Sequence, residues 1–363
     1  MHNGNGAHQE ARQKLVVVGN GMAGVACVEQ ILKHAPKFDI TIFGDETHVN
    51  YNRILLSSVL AGEKSPDEIV LNDLDWYERN RIRLRLGVRI TGVDAGGKTV
   101  TGEDGSITPF DKLLLATGSS PLIPSLEWVK KQGVFVFRSL DDTRELLERA
   151  KPGTKAVVIG GGLLGLEAAR GLQVQGCDVT VVHLMDTLME RQLDHAGGGY
   201  LKAKMECMGI RVLLGRSTTE ILGNGKAEGV AFKEGPSIPA DFVVIAAGIR
   251  PNTELGRKAG LQVNRGIVVN DYMETSNPDI FARNRLAQFA FHLVMLAGAL
   301  QMSLISSVTV LLSGRRCAQR SFLQPGGARS WRASMDSVRE TEASEINAIA
   351  ISCIGRSMVI GNN

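Results

Sequence analysis

Gly19-Asn20-Gly21-Met22-Ala23-Gly24 and Gly160-Gly161-Gly162-Leu163-Leu164-Gly165 use one glycine spacing twice in a chain of 363 residues. Each follows an apolar run that reads as a buried strand, Leu15-Val16-Val17-Val18 and Ala156-Val157-Val158-Ile159, and each opens into a helical segment. The spacing has a physical reason. Its first glycine turns the chain out of the strand, its second lets backbone N–H groups approach a pyrophosphate, and its third lets helix pack closely on strand. The helix N-terminus then directs partial positive charge at the same anion. A single such pattern is a weak signal. Two, each in strand-turn-helix context, predict an α/β chain with two Rossmann-like dinucleotide-binding domains that hold two nucleotides face to face and pass electrons between them. Gly19, Gly21, Met22, Ala23 and Gly24 are the candidate contacts to one nucleotide, and Gly160, Gly162, Leu163, Leu164 and Gly165 to the other.

The length suffices for two or three domains with a substantial core. Formal net charge is only +3, and residues 283–363 carry 9 arginines and no lysine against 4 acids. What precedes them is close to neutral, so nucleic acid has no electrostatic footing as a partner. Five cysteines, Cys27, Cys177, Cys207, Cys317 and Cys353, form no C-x-x-C pair. That scatter argues against a zinc site, an iron-sulfur cluster held by this chain alone and a dithiol redox pair, and no metal ligand is assigned. Residues 1–13 are polar and lack the apolar stretch of a secretory signal; they read as a disordered extension, with a cytoplasmic location by default.

The first pattern belongs to a βαβ unit: a strand at Leu15 to Val18, a helix from about Met22 to Lys33, and a strand at Ile40 to Phe43. Asp45 and Glu46 then fall at the distance where an acid binds a ribose hydroxyl, although Gly44-Asp45 is also turn chemistry. Residues 82–115 alternate short apolar runs with turns, the signature of a small antiparallel meander returning to the main sheet. It ends at Leu113-Leu114-Leu115-Ala116-Thr117-Gly118, and Phe242 to Gly248 is a second strand running into small residues. Such turns let backbone come close to a ligand, which makes Ala116, Thr117, Gly118, Ala247 and Gly248 candidates. In the second unit, a helix from Leu164 to Gln175 and a strand from Val179 to Val182 lead to His183 where the ribose acid would stand. An acid there favours NAD and arginines favour NADP. His183 supplies neither, and reads equally as a surface histidine at a strand end or as a contact to the 2′-hydroxyl.

With Ala116-Thr117-Gly118, Ala246-Ala247-Gly248 and Thr275-Ser276-Asn277-Pro278-Asp279-Ile280-Phe281-Ala282, the two fingerprints resemble the pyridine nucleotide-disulfide oxidoreductase superfamily. Within it, Tyr51-Asn52-Arg53-Ile54-Leu55-Leu56-Ser57-Ser58 and the stretch from Val179 to Asp194 resemble the N-terminal flavin region of the assimilatory NAD(P)H nitrite reductase large subunit, over about residues 14–282. The resemblance implies an NAD(P)H-binding domain (121–240) inserted into a split FAD-binding domain (14–120 and 241–282). It further implies that Arg53 lies near the flavin phosphates, Ile90 near the adenine, Thr117 and Gly118 along the FAD, Arg138 at another flavin contact, and Glu167 by the nicotinamide. The implied reaction is hydride transfer from NAD(P)H to FAD, which needs positioning rather than a catalytic side chain, so none is assigned. Related sulfide and disulfide reductases use a cysteine near the flavin, and none lies between Cys27 and Cys177. Ferredoxin reductases share the Tyr51 to Ser57 stretch but follow it with a lysine where Ser58 stands.

The resemblance stops after Ala282. Where the family continues into a Gly-Asp pair whose aspartate binds the flavin, this chain reads Arg283-Asn284-Arg285. Lysine disappears and no periodic pattern survives, as a frameshift, a mispredicted gene end or a chimeric junction within a gene would produce. The closing strand and the aspartate of the FAD domain are therefore expected to be missing, and FAD binding to be weakened. Residues 286–312 contain no charged side chain between flanking arginines, a length that crosses a bilayer, but polar residues interrupt the run and a membrane is not expected. Residues 313–363 read as mostly disordered. The siroheme and iron-sulfur modules that reduce nitrite in the family are not in the matched region. The expectation is an electron-input module with an unknown acceptor; the alternatives are a catalytically incompetent nucleotide-binding fragment and a ferredoxin or rubredoxin reductase.

Overall fold

The computed structural model describes residues 12–34, 38–123 and 127–283, which fall within one compact unit, Met1–Val294. A second unit, Met295–Asn363, lies outside the described residues, as do the expected extension up to residue 11, the uncharged run 286–312 and the tail beyond Arg283.

Two five-stranded sheets organise the chain, and each is entirely parallel. In the first, the strands run Ile280–Ala282, Lys112–Leu115, Gln13–Val18, Phe38–Phe43 and Arg83–Arg85 from edge to edge. In the second, the order is Val134–Val136, Phe242–Ile245, Lys155–Ile159, Asp178–Val182 and Arg211–Leu213. The fingerprint strand is central in both. Its valines are buried on both faces, with Val16, Val17, Val157 and Val158 at 1% exposure or less. This is why both strands read as continuous apolar runs rather than alternating ones. Burial of each such side chain contributes about 1.5–3 kcal/mol.

The sheets are built by the same steps. A fingerprint strand leads through the glycine turn into a helix, Met22–His34 or Leu163–Val174, and back to a parallel neighbour. A three-stranded antiparallel meander follows, Ile90–Asp94 with Thr99–Gly102 and Ile107–Pro109, or Thr218–Leu222 with Gly229–Phe232 and Ile238–Pro239. Each meander delivers the strand that runs into a small-residue turn. The chain then leaves the first sheet through Ser119–Pro121, builds the second, and returns through Ile249–Pro251, and these two crossing segments pair antiparallel.

Two expectations are corrected. Phe242–Ile245 is bonded between Val134–Val136 and Lys155–Ile159, so the strand assigned to the returning FAD segment belongs to the second sheet, and the return begins at Ile249. The closing strand of the first sheet is present: Ile280–Ala282 pairs in parallel register with Leu113–Leu115, with Ile280 and Ala282 buried. The change of sequence after Ala282 therefore falls beyond the strand, not before it.

The short helix Leu56–Leu60, which follows Tyr51 and Arg53, packs on the second fingerprint helix. Leu60 is fully buried there, and Gln175 Nε2 donates to its carbonyl at 2.9 Å. Gly171 makes the approach feasible, because a Cβ on it would come within 2.7 Å of Leu60 Cγ. Gly171→Val should therefore cost about 1–3 kcal/mol through overpacking. Thermal unfolding measures this, and a melting temperature equal to the parent's contradicts the contact.

Candidate functional site

The two glycine loops have matching geometry. Gly19 and Gly160 adopt φ of +117° and +130°, and a side chain on either would overlap the carbonyl of Ala116 or Ala246, just past the end of the neighbouring strand. The last glycines, Gly24 and Gly165, are pressed against the carbonyls of Gly19 and Gly160, so a Cβ there would push helix from strand. The middle glycines differ: a Cβ on Gly21 or Gly162 would meet nothing within 4 Å. That space lies at a helix N-terminus with no acid in the first turn and, at Gly162, no side-chain cap. Met22 and Ala23, and Leu163 and Leu164, begin these helices, where backbone N–H groups have no partner within the helix. A cradle that no side chain fills fits the pyrophosphate of a dinucleotide, once in each sheet.

Around the first loop, side chains lock one another in place. Glu46 accepts from the Tyr51 hydroxyl at 2.7 Å and pairs with Arg53, whose Nη1 donates to the Arg138 carbonyl at 3.2 Å. The Tyr51 hydroxyl also accepts from Leu140 N–H, and burial raises its pKa. Arg138 donates to the Ser119 hydroxyl at 2.8 Å and to the Ser119 carbonyl. Arg53 and Arg138 are thus fixed between elements rather than being solvated surface charges. Glu46 is engaged by these partners, while Asp45 is half exposed and, among the described residues, pairs with Arg89 at 3.5 Å. Of the two acids, Asp45 is the one with a carboxylate open to a ribose. The Ile90 side chain is buried in the core with Val16, Phe43 and Val93, which leaves its backbone as the part able to meet an adenine.

Sequence reading missed the residues that brace the loop and the cleft. Asn20 Oδ1 accepts from the Tyr77 hydroxyl at 2.8 Å, and the Asn20 carbonyl accepts from buried Asn50. Burial pushes Tyr77 up to about 12. Asn252 clasps the small-residue turn: its Nδ2 donates to the Thr117 carbonyl at 2.8 Å, and its own carbonyl accepts from Thr117 Oγ1 at 2.7 Å. Gly118 and Gly248 take positive φ at the two turn ends, and Ala247 beside Gly248 is exposed. A cleft opens between Ala23, Ala116, Thr117, Gly118 and Asn252. Arg283 also lines it, with its N–H on the Leu115 carbonyl and Nη1 on the Ala23 carbonyl, both at 3.1 Å. An arginine thus stands at the strand exit where the resembled family has its Gly-Asp pair.

At the second loop, His183 is only 9% exposed, which overturns its reading as a surface histidine. Its Nδ1 accepts from Gly161 N–H at 3.0 Å and its Nε2 lies 3.1 Å from Glu190. Glu167, on the outgoing helix, has no hydrogen bond or ion pair among the described residues, and burial pushes its carboxyl up to about 7. Among the described residues no cluster of His, Cys, Asp and Glu could hold a metal ion, and no helix is long and apolar enough to cross a membrane.

Two predictions follow from this geometry. Gly162 has φ −83° and ψ 174°, which any residue adopts, so Gly162→Ala should melt like the parent yet bind a dinucleotide roughly tenfold more weakly or worse. Gly165→Ala should instead cost about 3 kcal/mol or more. Calorimetric titration with thermal unfolding separates the two, and matching phenotypes contradict the division of roles. Glu167 ionises near 4.5 when the chain is unfolded and near 7 when it is folded. The unfolded state therefore releases its proton first, and stability falls as pH rises across that window. Glu167→Gln should raise the melting temperature by a few degrees at pH 8 and hardly at pH 4.5; equal shifts at both pH values contradict a partly buried carboxyl whose ionisation opposes folding.

The pattern of the pyridine nucleotide-disulphide oxidoreductases matches residues 13–292. The chain is 52% identical over 278 residues to nitrite reductase [NAD(P)H] of Bacillus subtilis (strain 168), covering 76% of this chain and 34% of that protein. It is 47% identical over 278 residues to the assimilatory nitrate reductase electron transfer subunit of the same organism, covering 76% of this chain and 36% of that one. It spans about a third of the length of these relatives. In structure it is similar to a covalent putidaredoxin reductase–putidaredoxin complex, with a TM-score of 0.72 and 30% identity over 75% of this chain and 67% of the other. The chain belongs to the pyridine nucleotide-disulphide oxidoreductase family, whose members bind FAD and NAD(P)H.

Proposed function

We propose that this chain is an FAD-dependent NAD(P)H oxidoreductase module, the electron-input part of a nitrite-reductase-like system. The observation that carries the reading is the presence of two open glycine cradles of the same geometry on one chain, at Gly21 and Gly162. In this reading, the first loop holds FAD through Gly19, Gly21, Met22, Ala23 and Gly24, with Asp45 at the ribose. Arg53 and Arg138, held by Glu46 and Ser119, present fixed guanidinium groups to the flavin nucleotide. Ala116, Thr117 and Gly118 bring backbone to the ligand, and Asn252 holds that turn rigid. The second loop holds NAD(P)H through Gly160, Gly162, Leu163, Leu164 and Gly165, with Ala247 and Gly248 alongside.

A bound FAD would supply the hydride-accepting and electron-relaying chemistry that the side chains themselves lack. The protein's part is to hold the two rings in contact and exclude water. Glu167, one turn into the second helix, is the carboxyl nearest in sequence to that cradle, and it is protonated for much of the time at neutral pH. It can therefore donate a hydrogen bond to a nicotinamide carboxamide. The acceptor is a partner domain or protein supplied from outside the described residues. The relatives' names support a nitrite-reducing partner, while the fold likeness to a putidaredoxin reductase joined to putidaredoxin favours a separate electron-accepting protein as a second reading. A cytoplasmic location belongs to the same proposal.

The purified protein, supplied with FAD, should be yellow, and its flavin absorbance near 450 nm should bleach on addition of NADH or NADPH under anaerobic conditions. Nucleotide binding by a protein that takes up no flavin would point instead to an incompetent nucleotide-binding fragment.

A further inference from the structure

A closed ring of hydrogen bonds ties the end of the Asp178–Val182 strand to the second glycine loop. Gly161 N–H donates to His183 Nδ1 at 3.0 Å, which places the proton of the neutral ring on Nε2, facing Glu190 Oε2 at 3.1 Å. Met189 N–H returns to the Gly161 carbonyl at 3.0 Å. Both backbone groups of Gly161 are thus engaged by residues 183–190. Leu188 is fully buried beneath the ring, and a Cβ at Gly161 would come within 2.6 Å of His183 Cγ and 2.7 Å of Leu188 Cδ2. Met189 adopts φ +51°, a conformation uncommon outside glycine, and the turn it makes brings Glu190 to the surface with its side chain 30% exposed.

In a dinucleotide fold, an acid at the end of the second strand accepts a hydrogen bond from the adenosine ribose, and arginines in its place take a 2′-phosphate. Here that strand end is a histidine with both ring nitrogens occupied. We propose that Glu190 serves as the ribose-binding acid, set beside the glycine loop by His183 acting as a positioning residue, and that the chain consequently prefers NADH to NADPH. The inference rests on the second loop being the nicotinamide nucleotide site. A carboxylate accepts from a 2′-hydroxyl and repels a 2′-phosphate. Of the nearby cations, Arg216 is turned to the Glu234 carbonyl at 2.8 Å, and Arg191 is exposed. Asp186, also exposed, adds a second negative charge to the same segment.

The test is calorimetric titration of the full chain with NADH and with NADPH, for the parent, Glu190→Gln and His183→Ala. The parent should bind NADH roughly tenfold tighter or more, and Glu190→Gln should shrink that ratio by about tenfold while melting like the parent. His183→Ala should shrink the ratio in the same direction, and the double variant should shrink it no further than Glu190→Gln alone. Binding of both nucleotides with a ratio that Glu190→Gln leaves unchanged, or tighter binding of NADPH by the parent, overturns this inference alone. Binding of neither nucleotide by the folded parent overturns the site reading and this inference with it.

Discussion

The structure depends on how closely a helix can approach the strand that precedes it. At both fingerprints a glycine carbonyl lies against the helix glycine five residues on, and the first glycine lies against the carbonyl of the residue that follows the adjacent strand. These contacts leave no room for a methyl group at either place. They fix the direction in which each helix leaves its sheet, and so the point at which its unpaired N–H groups converge. The sheet orders agree with the same restriction: the strand that leads into the carbonyl touching the first glycine is the immediate neighbour, Lys112–Leu115 before Ala116 in one sheet and Phe242–Ile245 before Ala246 in the other.

Much of this could be read from the chain because the constraint is local. The valine runs, the glycine spacing and the turn-rich meander of residues 82–115 each occupy a short window with its own periodicity. What escaped were pairings whose two members lie far apart in sequence. Asn20 meets Tyr77, Thr117 meets Asn252, and Arg53 meets the carbonyl of Arg138, and nothing in the sequence around any of them signals its partner. His183 illustrates a different gap. A histidine after four buried residues at a strand end could face outward or inward, and the choice was made by Gly161, whose missing side chain leaves space for the ring.

The closing strand shows how a resemblance can mislead at its margin. A change of sequence immediately after Ala282 suggested that the first sheet was left open. Three residues are enough to close it, because Leu113–Leu115 already presents an unpaired edge and Ile280 fills the space beneath it. Arg283 then uses its backbone to extend that pairing and its side chain to reach the first helix. The departure from the family pattern thus begins inside the cleft, where it alters charge without altering the sheet.

The pairing of Ser119–Pro121 with Ile249–Pro251 also has consequences for how the chain assembles. The whole second sheet is a long excursion whose exit and re-entry lie side by side, about 5 Å apart as in any antiparallel ladder. Ile280–Ala282 reaches its edge only from the far side of that excursion, so the first sheet is made of strands that precede and follow the whole of the second. Loop-closure cost grows only slowly with length, and an excursion that folds by itself brings its own ends together. The pairing of exit with re-entry therefore keeps Ile280–Ala282 within reach of its edge however long the excursion between them is.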